Sequence, residues 1–408
     1  MKNGTGDLAL FGGSPAFLQN RRVGRPNQGD RERFLERMTR VLDNEWLSNM
    51  GPLMYEFETR VAELAGVRHC VSLCNATVAL QMLVGDTATG GEPGDEVIIP
   101  ALTFPATAHA VRWRGLRPVV CDVDPVTGLI DPDLVEALIT PRTRAVIGVH
   151  LWGQACDVRR LEKITESNGL RLYFDAAPAL GCTYGSTPIG GLGHAEVFSF
   201  HATKVVNSFE GGAIVTDDDA LAERMRAVRN FGFGQDGLVE EVGTNGKLNE
   251  AAAAMGLTSL DGLEDTIAHN RANYETYRAA LSGIPGVRPV EYDERHRNSH
   301  HYMMITVDRA AAGLHRDLLL DVLRAENILA QPYFPQAMHQ LAPYAADSPG
   351  RLPHAESLCE QLLALPTGPG VSAADVGIIS DVVQATVAHG QEVTGLWHAR
   401  PAETAATR

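Results

Sequence analysis

Seven short apolar runs punctuate the first two-thirds of the chain: Cys70 to Cys74, Glu96 to Ile99, Pro118 to Cys121, Ala145 to Val149, Leu170 to Phe174, Val197 to Phe200 and Ala213 to Thr216. Each is rich in β-branched or aromatic residues and is bounded by turn-forming ones, as buried strands are. Between most of them apolar positions recur at helical spacing, for example over Asp131 to Ile139 and Asp157 to Asn168. The alternation predicts an α/β fold: a doubly wound, mainly parallel seven-stranded sheet with helices on both faces.

After about Leu263 the pattern changes. A long helical stretch, Glu264 to Leu281, leads to a strand at Tyr302 to Val307 and helices at Arg316 to Glu326, His354 to Leu363 and Ala373 to Ala388. This predicts a smaller C-terminal α+β domain. The expected organisation is an extended N-terminal arm over 1–30, a large α/β domain over 31–263, a small domain over 264–390 and a frayed tail over 391–408.

Bulk properties remove several function classes. At 408 residues the chain exceeds what one core supports, which agrees with two domains. A net charge of -15 without a basic stripe argues against nucleic acid as a partner. No apolar stretch has the length of a membrane span, and the N-terminus lacks a signal-peptide pattern, so a cytoplasmic protein is expected. The six cysteines are scattered without a CxxC pair, so reduced core thiols are expected and no metal site.

The chemistry centres on Ser199-Phe200-His201-Ala202-Thr203-Lys204 and the Gly211-Gly212 pair that follows. A strand ends there in a turn carrying one lysine, at the sheet edge where ligands gather in α/β folds. A partly desolvated amine in that place can form a Schiff base with an aldehyde cofactor, although lysines near strand ends are more often simply solvated. Upstream, the run ending at Phe174 delivers Asp175 to a strand end before Ala176-Ala177-Pro178 breaks the pattern. A carboxylate there can pair with a protonated pyridine nitrogen, or it can cap the next segment. Asn75-Ala76-Thr77 joins a strand to a helix, and its free N–H groups and the Thr77 hydroxyl can hold a phosphate; plain N-capping is the alternative. Phe104, after the next strand, can stack on a flat ring or plug the sheet end. Ser199 can add a hydroxyl to the phosphate.

These residues carry a family resemblance. Trp46-Leu47-Ser48-Asn49, Asn75-Ala76-Thr77-Val78-Ala79-Leu80, Asp122-Val123-Asp124-Pro125, Val149-His150-Leu151-Trp152-Gly153-Gln154, Phe174-Asp175-Ala176-Ala177, Ser199 to Lys204 and Gly243-Thr244-Asn245-Gly246-Lys247 stand in order along the chain. With them the chain resembles the DegT/DnrJ/EryC1/StrS sugar aminotransferases, pyridoxal 5'-phosphate (PLP) enzymes of fold type I, the aspartate aminotransferase fold. The resemblance implies that Lys204 forms the Schiff base, Asp175 binds the pyridinium nitrogen and Phe104 stacks on the ring. It implies that Ala76, Thr77 and Ser199 hold the phosphate, with Asn245 reaching it from the other subunit of a homodimer. The segments around Lys204 and Asn245 are most similar to members that use L-glutamate to aminate carbon 4 of dTDP-4-keto-6-deoxyglucose. The implied product is dTDP-4-amino-4,6-dideoxy-D-glucose, a precursor for decorating secondary metabolites or surface glycans.

Two positions depart from the family pattern. Pro178 stands where His or Gln is usual, and His194 stands where relatives often carry Asp. Proline offers no donor toward the cofactor's ring hydroxyl. Tyr333 and His339, in a Tyr-Phe-Pro-x-x-x-His segment, are candidates for the sugar pocket. The alternatives are amination at carbon 3, a galactose-configured product, a PLP sugar dehydratase and a non-catalytic relative that binds sugar nucleotides. In 3-dehydrase relatives histidine replaces the lysine, so Lys204 weighs against a dehydratase.

Overall fold

The structure, a computed structural model, describes residues 2, 4–86, 89, 91–347 and 350–399. Its centre is a seven-stranded sheet built from β1 (His69–Leu73), β2 (Glu96–Pro100), β3 (Arg117–Cys121), β4 (Thr143–Val149), β5 (Arg171–Asp175), β6 (Ala195–Ser199) and β7 (Gly212–Thr216). The spatial order is β1-β7-β6-β5-β4-β2-β3, and only β7 runs antiparallel to its neighbours. The other six strands therefore end at one edge, to which β7 returns its first residue. β2, β6 and β7 are buried along their whole length, as expected of strands covered on both faces. The α/β, fold-type-I architecture read from the sequence is the one observed.

Local chemistry sets the helix starts at that edge. Asn75 caps the helix Ala76–Val84, its Oδ1 accepting from the Val78 N–H at 2.8 Å. The helix Pro105–Trp113 begins with proline at its first position, where no N–H is missed. On the far side of the sheet Glu250 performs a tertiary cap: its carboxylate accepts from the Leu53 and Met54 N–H groups at 2.9 and 2.7 Å, tying the helix Pro52–Ala65 to the helix Glu250–Asp261.

A second apolar cluster forms around a three-stranded antiparallel sheet of β8 (Val287–Pro289), β9 (Met303–Val307) and β10 (Leu362–Leu365), in the order β8-β9-β10. The helix Leu263–Leu281 spans both clusters, giving Leu263 and Ile267 to the first and Tyr274, Tyr277 and Leu281 to the second. The predicted helix His354 to Leu363 is shorter, Pro353–Gln361, and its apolar end turns out as β10.

Both chain ends are more ordered than expected. The arm is packed down, with Leu8 and Phe17 buried in the second cluster and Arg21–Arg22 pairing in parallel with Ile328–Leu329. Fully buried Glu326 fixes it by accepting from the Ala9 and Ala16 N–H groups at 2.7 and 2.6 Å, with Lys2 Nζ 2.9 Å away. Beyond Gly390, where a frayed tail is expected, the chain forms a helix, Gly390–His398, because Val393 is buried and Trp397 packs against the same cluster. The rest of that predicted tail, 400–408, lies outside the described residues.

Candidate active site

A cavity of about 300 Å³ opens at the carboxyl edge of the sheet. Its floor comes from the large sheet: Asn75, Ala76 and Thr77 after β1, Thr103 and Phe104 after β2, Trp152 after β4, Asp175 at the end of β5 and Ser199 at the end of β6. Lys204 stands one turn beyond Ser199, its N–H donating to the His201 carbonyl at 2.8 Å. The opposite wall comes from Tyr302, which leads into β9, and from Tyr333 and Phe334, all three packed with the first apolar cluster.

Asp175 is 4% exposed. Its Oδ2 accepts from the Thr107 hydroxyl at 2.8 Å and its Oδ1 from the Ala177 N–H at 3.1 Å. Thr107 in turn shares a 2.8 Å hydrogen bond with Thr103, so the first turn of the helix Pro105–Trp113 fixes the carboxylate. Burial pushes the Asp175 carboxyl up, opposed by these two hydrogen bonds and by the charges of Lys204 and His150. A cation delivered to this carboxylate would complete the opposition. Lys204 shows the converse, since burial pushes its ammonium down while Tyr333 and Asp175 pull the other way. Desolvation therefore supplies a free amine at lower pH than an exposed lysine would.

The anion end is built from backbone. The first N–H groups of the helix Ala76–Val84 face the cavity mouth without intrahelical acceptors. Gly212, the first residue of β7, lies directly beneath. A Cβ there would fall 2.4 Å from the Ala76 nitrogen. Only a bare backbone lets the reversed strand pass so close to the helix start. Ser199 is buried and accepts from the His201 N–H at 3.3 Å, leaving its own proton to donate. Phe104 is 62% exposed at the mouth, its ring 6.3 Å from that of Phe334. Pro178 lines the cavity as expected, and Trp152 beside it has a buried Nε1–H with no acceptor among the described residues.

Two predicted residues lie elsewhere. His339 does not reach the cavity: its Nε2 sits 3.1 Å from Glu356, and Met338 next to it donates its N–H to the Ala101 carbonyl, which turns this segment under the sheet edge. Asn245 is exposed, bridged to Asn230 and away from the cavity walls of its own chain. His194, on the opposite edge, accepts from the Leu172 N–H at 3.1 Å and has a structural part. Sequence reasoning missed Thr107, Gly212 and Tyr302. Gly212 belongs to the Gly-Gly pair after the lysine turn, and Thr107 lies three residues beyond Phe104 in a predicted strand-to-helix turn, so both carry a local signal, whereas Tyr302 carries none before the fold places it.

The model of the DegT/DnrJ/EryC1/StrS aminotransferase family matches residues 28–384. The chain belongs to this family. Curated relatives include the GDP-perosamine synthase of Caulobacter vibrioides, 36% identical over 339 residues that cover 82% of this chain and 90% of that one. The dTDP-4-amino-4,6-dideoxy-D-glucose transaminase of Escherichia coli is 32% identical over 351 residues, 84% of this chain and 92% of that one. Among solved structures, that of DesI in the presence of its TDP-sugar product superposes with a TM-score of 0.92 at 51% identity, covering 96% of this chain and 99% of that one. The aminotransferase is a PLP enzyme, as its family is. The cavity fits that cofactor through a buried amine, a buried carboxylate and a bare-backbone anion site.

Proposed function

We propose that this aminotransferase moves an amino group from L-glutamate to carbon 4 of dTDP-4-keto-6-deoxy-D-glucose, giving dTDP-4-amino-4,6-dideoxy-D-glucose. The observation that carries the substrate is the 51% identity, over 96% of the chain, to DesI, whose structure was solved with its TDP-sugar product. The Escherichia coli relative, named for the same amino sugar, supports the position of amination.

PLP, when bound, supplies an aldehyde to the incoming amine and a ring that takes up the electron pair of the donor's Cα–H bond. The chain's own residues do the rest. Asp175 holds its negative charge, oriented by Thr107, where the ring nitrogen would carry a positive one. Ala76, Thr77 and Ser199 bind the phosphate, and Phe104 covers one ring face. Lys204 Nζ takes the proton from the donor's α-carbon and would deliver it to the carbon that had been the cofactor's aldehyde, being the only lysine among the described cavity residues. Tyr333 and Phe334 face this centre and are proposed to meet the sugar. The large unit over 31–263 carries the cofactor and the smaller unit over 264–390 closes over it. The enzyme is proposed to be a cytoplasmic homodimer in which Asn245 completes the partner's phosphate site. No helix among the described residues is long and apolar enough to cross a membrane.

A second reading, a GDP-linked 4-keto sugar, is favoured by the Caulobacter relative. The deciding experiment offers dTDP- and GDP-4-keto-6-deoxy sugars with L-glutamate and reads the products by mass spectrometry and NMR. The expected result is a dTDP-4-amino product of gluco configuration from wild type and none from Lys204→Ala. Amination of the GDP sugar alone would replace the nucleotide in this proposal, and a 3-amino or galacto product would replace the position or configuration.

A further inference from the structure

Two adjacent residues that lead into β9 reach the active site, and both grip the lysine turn. His301 Nε2 donates to the Thr203 carbonyl at 2.7 Å. Tyr302, the next residue, accepts from Lys204 Nζ at 3.2 Å through its hydroxyl. Consecutive residues at the start of β9 thus hold consecutive residues of the turn after β6. Tyr302 is 5% exposed. The ring of Tyr333 packs against its own, with centroids 5.3 Å apart and planes tilted by 56°. Tyr292 braces the same point from outside, its hydroxyl donating to the Tyr302 carbonyl at 3.1 Å.

We propose that Tyr302 is a positioning residue for Lys204: its hydroxyl, on a residue braced by Tyr292, holds the free ε-amine at the cavity wall so that it is aimed at the cofactor. A lysine side chain has many rotamers, and this freedom must be given up before the amine can attack or take a proton. One hydroxyl at hydrogen-bond distance selects among them before the chemistry begins. A phenol serves here because its oxygen accepts from the amine while its buried ring fixes where that oxygen stands. Burial also pushes the Tyr302 phenol up to about 12, so it stays protonated and does not trap the lysine in an ion pair.

The inference rests on Lys204 being the residue that captures PLP, and the capture step gives a test that needs neither donor nor sugar. In that step Lys204 Nζ forms a C=N bond to the aldehyde carbon, and its two hydrogens leave with the aldehyde oxygen as water. Stopped-flow mixing of full-length, cofactor-stripped enzyme with PLP separates concentration-dependent docking from the first-order covalent phase seen by absorbance. Tyr302→Phe is expected to slow the covalent phase tenfold or more, with the docking rate and the melting temperature close to wild type. Tyr292→Phe, which removes the brace on the Tyr302 carbonyl, is expected to slow it less, about threefold, in the same direction. A covalent phase within twofold of wild type in Tyr302→Phe would overturn the assignment. If that variant does not fold, an unchanged covalent phase in Tyr292→Phe overturns it instead. Failure of wild-type holoenzyme to bleach with L-glutamate would remove the proposed donor and leave this result standing.

Discussion

Asp175 and Lys204 show burial working against the charged form of two residues that meet it with different partners. Hydrogen bonds from Thr107 and Ala177 oppose the upward push on the carboxyl, while desolvation carries the ammonium downward. Asp175→Asn keeps the shape and removes the charge, leaving a cationic ring nitrogen unopposed. Breaking a buried ion pair costs about 3–5 kcal/mol, or roughly 10²- to 10⁴-fold in rate. Stopped-flow bleaching of the visible band by L-glutamate should show a loss of that size. Gly212→Ala should weaken PLP binding at least tenfold and lower stability by about 1–3 kcal/mol, because its methyl would displace the Ala76 N–H. Equilibrium titration with PLP and thermal melts read the two effects separately. Pro178 changes only a neighbour of the carboxylate, with Lys204 and Asp175 intact. Turnover of Pro178→His is therefore expected within tenfold of wild type, and a larger gain would show that proline impairs the site.

The cavity depends on where the helices begin. The helix Ala76–Val84 owes its start to Asn75, so Asn75→Ala should cost about 1 kcal/mol in a urea melt and raise the PLP dissociation constant as the first turn frays. This start was legible in the sequence, as were all seven strands of the large sheet, because continuous apolar runs between turns admit few other readings. β10 was not. Ala355, Leu358, Cys359, Leu362 and Leu363 keep helical spacing through Glu360-Gln361, and the pairing of Leu362 to Leu365 with β9 decides where the helix stops. The arm was illegible for a related reason, since Leu8 and Phe17 acquire meaning only from the Glu326 carboxylate more than 300 positions away. His339 looked available beside Tyr333, yet local spacing could not show that Glu356 holds it on the other side of the segment.

At the scale of the whole molecule, the segment leading into β9 meets the lysine turn through a titratable contact, His301 on the Thr203 carbonyl. Burial holds His301 and its neighbour His300 at about 4, below the ordinary histidine value of 6.5. Between those values the unfolded chain binds more protons than the folded one, so stability is full above 6.5 and is lost as the pH falls toward 4. Melting temperature should drop on going from about pH 7.5 to about pH 5, and the drop should be smaller in His301→Gln, which carries no proton to gain. The cavity itself has walls from distant parts of the chain, with Ala76 and Asp175 on one side and Tyr302 and Tyr333 on the other. Any molecule filling it is thereby counted in the folding equilibrium of all of them. At a free concentration one hundred times its dissociation constant, such a ligand adds about 2.7 kcal/mol by mass action. Supply of vitamin B6 then sets how much of this protein survives in a cell, as well as how fast each molecule works.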